Sequence, residues 1–284
     1  MSEVTRDVVG EHVAELGRAI APRIGEIVDA VAERVRAAVP VYRSLTTVRD
    51  EELAASGRKF IRFVLESLGT AHPSAPDSRA DGRLAAEAGI PLPAVLAAYR
   101  TAGECVWEHV ARHAAALGLP GGAALSAGAT LWTALHVCVQ EAASGHCDET
   151  AVRVRDGEQR RGALFEALLA DRFTDGELAD VAEELRLPAR GEYVVIAAFT
   201  PGIGRHALLR AEEALQAAGA ASVWRLLPDR EIGVACLSIS DIRQRELAEV
   251  LANVCTGPVV MSRPYRDLLS TGAELRAVMA AGPE

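Results

Sequence analysis

From Val4 to about Leu187 apolar residues recur at the three-to-four-residue spacing of amphipathic helices, whereas beyond Glu192 short β-branched and aromatic runs stand between glycines and prolines. The spacing predicts helices over 5–19, 22–39, 48–68, 79–88 and 91–117, with Pro22 in a first turn and Pro40 halting the second. GTAHPSAPD at 69–77 reads as a loop. On the helix over 91–117, Leu92, Val95, Leu96, Tyr99, Val106, Val110, Ala114 and Leu117 share one face at ~100° per residue and are expected to be core. After a break at 118–122, Leu125, Ala129, Trp132, Leu135, His136, Val139 and Ala143 make the matching stripe of the next helix. Two long helices so joined are expected to pack antiparallel.

Charge density rises over 148–161, and GALFEALLAD (162–171) resumes an amphipathic pattern, which reads as a connecting helix too poor in heptads for a coiled coil. Asp175 is expected to cap a further helix through Leu185. Then come a buried strand at 193–199, a helix at 206–218, strands at 222–227 and 232–237, a helix at 241–254, a strand at 259–261 and a helix at 273–280. That βαββαβ order predicts a ferredoxin-like sandwich with helices on one face of an antiparallel sheet. The predicted fold class is thus α+β, divided into a helical domain over 1–150, a helical connector over 151–190 and an α/β sandwich domain over 191–284.

With 284 residues, half of them hydrophobic, the chain can bury a sizeable core, and its net charge of −9 argues against direct nucleic-acid binding. No apolar run approaches the ~20 residues that cross a bilayer, and the N-terminus lacks a signal-peptide core, so the expected location is cytoplasmic. The five cysteines are odd in number and form no CxxC pair, which fits reduced thiols and speaks against structural zinc.

Several chemistries can be weighed on the residues. Cys105, His109 and His113 recur at i, i+4 and i+8, but Cys105 is expected to face away from the core stripe, which speaks against a metal or haem site. Tyr99, Trp107, Trp132 and His136, all on the two long helices, are the candidate lining of a small-molecule pocket, in a chain with only 4% aromatic residues. PGIG (201–204) lacks the remainder of a phosphate-binding motif, GHCDE (145–149) lacks a completing cluster, and neither a GxSxG elbow nor an HExxH pair is present. No catalytic residues, metal ligands or cofactors are predicted.

The segments VPVYRSL (39–45), AGIPLPAVLAAYRTAGECVWE (88–108), GALFEALLAD (162–171), LRLPARGEYVVIAA (185–198) and VVMSRPYRDLLSTGAELRAVMAAG (259–282) resemble, in combination and order, the regulatory part of PucR/CdaR-type bacterial transcriptional regulators, especially actinobacterial ones. The resemblance implies a first domain similar to the non-haem globin-like, dimerising N-terminal domain of RsbR stressosome proteins. It implies a last domain that is a degenerate relative of the GGDEF diguanylate cyclase domain. The metal acids and Gly-Gly turn of a cyclase are missing: the first strand carries no acid after Glu192, and the hairpin reads LPDREIG, where Asp229 and Glu231 are expected to be solvated turn carboxylates. No enzyme activity is therefore expected. The family's helix-turn-helix would lie beyond Glu284, so DNA contact is expected only through a domain not present here, in a longer regulator or one that lost it. The expected partners are a second copy, with Leu131 and Cys138 as outward apolar residues, and an unidentified small-molecule effector or protein. The competing reading is a stand-alone stressosome-like interaction module.

Overall fold

The computed structural model describes residues 3–43, 47–69, 77–237 and 244–281. They form an α+β protein in two compact units, Met1–Val154 and Arg155–Glu284. The first holds α1 (Glu3–Ile20), α2 (Ile24–Ala38), α3 (Thr47–Gly69), α4 (Ser78–Glu87), α5 (Leu92–Ala116) and the N-terminal part of α6 (Gly121–Leu169). Most of the expected loop at 69–77 lies outside the described residues.

The local chemistry sets the helix limits. The Asp77 carboxylate caps α4 by accepting from the Ala80 amide at 2.9 Å. Gly89 ends α4 with φ +72°, a left-handed conformation that glycine adopts without a Cβ clash, and Ile90 N–H then reaches back to the Ala85 carbonyl.

Helix α6 runs unbroken for 49 residues, so the connector expected over 151–190 is not a separate body. Residues 151–160 are exposed on all sides, while Phe165, Leu168, Val181, Leu185 and Leu187 join the second unit's core. The helix expected from Asp175 begins instead at Leu178, as α7 (Leu178–Glu184). The Glu177 carboxylate turns back to accept from Thr174 N and Oγ1, and that contact holds its pKa below the usual carboxylate range.

The α6 core face differs from the expected one. Ala123, Ala127, Leu131, Ala134, Leu135, Cys138 and Ala142 are buried, whereas Leu125 is 76% exposed and Trp132 49%. Leu131 and Cys138 therefore point inward. On α5, Cys105 is buried and Leu117 exposed, again reversing expectation. The physical reason is side-chain size: these helices meet through small residues, so bulk is a poor guide to the packed side. Gly103, for example, leaves room for the Leu135 side chain. By length and composition α6 could cross a membrane, with a window of mean hydropathy 1.3. Of that window 39% is buried in the described structure, mainly its small-residue face.

In the second unit β1 (Tyr193–Phe199), α8 (Ala211–Ala217), β2 (Ala221–Leu226), β3 (Arg230–Cys236), α9 (Gln244–Val254), β4 (Val259–Met261) and α10 (Thr271–Ala280) follow the predicted order. The sheet order is β2-β3-β1-β4, antiparallel throughout. Contrary to the one-faced expectation, it is covered on both sides. Val195, Ala197 and Val234 pack in the core that holds Phe165, Leu185, Leu268 and Val278, while Val194, Ile196 and Ala235 pack with Leu215, Leu247 and Leu251. Double coverage explains why YVVIAAF reads as a continuous apolar run. Positions 241–243 of the expected second sandwich helix lie outside the described residues.

Candidate effector cavity in the helical unit

Helices α2, α3, α4 and α5 line a cavity of about 130 Å³ that is open on one side to the surface. Its wall is largely aliphatic, from Val28, Val31 and Val35 on α2, Leu84 and Ala85 on α4, and Val95, Ala98 and Ala102 on α5. Phe60 adds an aromatic edge, meeting Tyr99 at 5.9 Å between ring centroids with the planes at 90°.

The polar atoms on the wall come from Tyr42, Ser56, Asp81 and Tyr99. Burial pushes the Tyr42 phenol up to about 12. Burial also raises the Tyr99 phenol well above its usual range, opposed by a hydrogen bond with Ser78 and reinforced by the nearby Asp81 carboxylate. Asp81 is itself mostly covered, its side chain 13% exposed, with Lys59 Nζ 3.7 Å away.

The wall helix α4 is fastened to α6. A β-carbon built on Gly82 would stand 2.8 Å from the Ala142 carbonyl carbon, and one on Gly145 would stand 2.9 Å from that of Arg79, so both glycines permit backbone-to-backbone approach. Arg153 donates to the Ala86 and Glu87 carbonyls at 3.3 and 2.9 Å, covering α4's C-terminal end. His146 donates to the Ile90 carbonyl at 2.8 Å, and Arg79 pairs with Asp148 and reaches Ser144 at 3.1 Å. Burial holds the Cys138 thiol above its normal pKa, and the buried Ser78 hydroxyl acts to lower both it and the Tyr99 phenol.

Of the four predicted pocket residues, only Tyr99 lines this cavity. Trp107 is half-buried and rests on Gly128, while Trp132 and His136 are exposed on the outer face of α6 and line no interhelical space. Missed were Tyr42, Asp81 and the α4 wall. The signal available was Gly82 and Gly145 inside otherwise helical patterns, which mark close helix approach.

The Cys105, His109 and His113 set does not converge. His109 Nδ1 donates to the Cys105 carbonyl and His113 Nδ1 to the His109 carbonyl, each at 2.8 Å, while His113 Nε2 meets Arg23 at 3.2 Å. Among the described residues no group of three potential ligands could hold a metal ion. In GHCDE, Asp148 serves the Arg79 pair and Gly145 the α4 contact.

In the second unit Asp229 is exposed and paired with Arg230, which holds its carboxyl below the usual range. Glu231 departs from the expected solvated carboxylate: it is 4% exposed and accepts from the Ala207 and Leu208 amides at 3.1 Å each and from His206 Nδ1 at 3.1 Å. Its acceptor capacity is spent on folding the 206–208 segment. PGIG is a turn beside the hairpin, with Gly204 N–H donating to the Pro228 carbonyl at 3.3 Å, and α8 starts only at Ala211.

The chain is thus built as a helical unit that carries a cavity, followed by an antiparallel α/β unit. The chain matches the model for the RsbT co-antagonist protein rsbRD N-terminal domain over residues 25–161 and that for a GGDEF-like domain over residues 170–277. Among solved structures it is similar to a regulator of polyketide synthase expression from Bifidobacterium adolescentis, at 14% identity and a TM-score of 0.36. That alignment covers 43% of this chain and 50% of the other, so the chain spans about half of that structure. No curated protein matches the chain.

Proposed function

We propose that the chain is the sensory and dimerisation portion of a cytoplasmic PucR/CdaR-type transcriptional regulator, whose promoter contact is made by a domain outside these residues. The order of the two domain matches supports this reading, and the observation that carries it is the cavity's shared wall. Helix α4 lines the cavity with one side and grips α6 with Gly82, Arg79 and the Ala86 and Glu87 carbonyls. An effector that favours one placement of α4 therefore biases α6, and it shifts the equilibrium only by its difference in affinity between the two placements.

The partner in this reading is a second copy. On α6 Leu125 and Trp132, seven residues apart and so on one side of the helix, are exposed away from the buried alanines, which leaves an apolar stripe for a dimer to cover. Light scattering over a concentration series is expected to show a dimer that Leu125→Asp dissociates; a monomer at every concentration refutes it. The second unit acts as a folded relay without catalysis, because Glu231 is engaged by backbone amides and β1 carries no carboxylate. Cyclic dinucleotide formed from GTP and magnesium would overturn that. The sensory role itself is tested by a metabolite thermal-shift screen counter-screened with Ala98→Leu: a hit lost in the variant supports it, and hits indifferent to the variant oppose it.

The match to a co-antagonist's N-terminal domain favours a second reading, a stand-alone interaction module that never meets DNA. A native reading frame that continues into a helix-turn-helix would exclude it.

A further inference from the structure

The chemistry of the cavity narrows what it can hold, on the sensory reading above. We propose that it takes a ring-sized apolar molecule bearing one hydrogen-bond-donating head, a hydroxyl or an amine, placed against Asp81, and that it rejects carboxylates of the same size.

A volume of about 130 Å³ is close to the ~150 Å³ of an apolar protein cavity that holds benzene. Aliphatic walls on α2 and α5 give such a ring dispersion contact without polar partners to satisfy. The lining holds few polar side chains, Tyr42, Ser56, Asp81 and Tyr99, and among them Asp81 is the only one with a carboxyl group, its side chain mostly covered. A carboxylate there offers only acceptors, so the group that completes it must donate. No arginine, lysine or histidine is among the lining residues, so an anionic ligand would face Asp81 without a compensating cation. Lys59 pairs with Asp81 from outside the lining, and its side chain is more than half exposed, a weak contact in water.

Toluene, benzyl alcohol, benzylamine and benzoate share one ring and differ in the head, so they serve as probes in thermal-shift and calorimetric titrations of the whole chain. The expected result is saturable binding of benzyl alcohol and benzylamine, the amine at least about tenfold tighter than toluene, and none of benzoate. Asp81→Asn should remove the amine's margin and leave toluene unchanged. Ala98→Leu fills the space and should abolish all binding; if that variant fails to fold, Ala85→Leu fills it from α4. Toluene equal to the amine, or benzoate binding best, would overturn the assigned ligand class while leaving a binding cavity. Binding of no probe also overturns the class, and the sensory role then stands or falls on the metabolite counter-screen. Binding that persists in both filled variants overturns the site.

Discussion

Adding one methyl group at two places on the same helix should have opposite effects. Glycine inside a helix costs roughly 0.5–1 kcal/mol relative to alanine, so Gly157→Ala, where a new Cβ meets nothing within 4 Å, should stabilise by about that amount. At Gly145 the same gain is outweighed. The new Cβ would stand 2.9 Å from the Arg79 carbonyl carbon and closer still to its oxygen, against roughly 3.5–4.0 Å for ordinary contact. The obstacle is backbone, so α4 must withdraw by at least about 0.6 Å, and overpacking of this kind costs about 1–3 kcal/mol. The net expectation for Gly145→Ala is a loss of about 1–2 kcal/mol, or roughly 3–6 °C in the first unit's melting temperature. Differential scanning calorimetry and urea titration of both variants measure it. A Gly145→Ala protein as stable as Gly157→Ala would refute the close approach of α4 and α6, and with it the proposed route from cavity to α6.

Other expectations follow from buried polar groups. The Tyr42 phenol is raised to about 12, so the folded state holds that proton more tightly than the unfolded chain does. Its stabilisation is complete below about pH 10 and lost as pH rises toward 12, at about 1.4 kcal/mol per pH unit, and Tyr42→Phe should remove one proton from the alkaline slope of stability. With a sole lysine, Lys59, and arginines that stay protonated, little else changes charge in that window apart from tyrosines and cysteines. Glu231→Ala strips the acceptor from two buried amides and should cost about 2–4 kcal/mol in the second unit, whereas Asp229→Ala should stay within about 0.5 kcal/mol, both read by denaturant titration. Leu125→Asp should weaken the dimer and, at concentrations where both proteins are monomeric, leave the helical unit's melting temperature unchanged, because Leu125 lies on the surface.

The secondary structure was largely legible in the sequence, because helix periodicity, Pro22, Pro40 and the YVVIAAF run act locally. The faces of α5 and α6 were not. Periodicity weighted by side-chain bulk selects Leu125 and Trp132, while the packed side is decided by how near two backbones come, which favours Ala142 and Gly145. Tyr99 was found because a polar-tipped aromatic within a long apolar helix is conspicuous. Asp81 and the α4 wall were hidden in a short, polar helix whose partners are distant in sequence. Glu231 reads as a turn carboxylate until the chain around Ala207 folds onto it and supplies two amides.

Hydrogen exchange of the whole chain with and without saturating benzyl alcohol tests the coupling of cavity and long helix most directly. The account predicts slowed exchange in α4 together with the segment of α6 that carries Ala142, His146 and Arg153. Protection confined to α2, α3 and α5, with α6 unchanged, would contradict it.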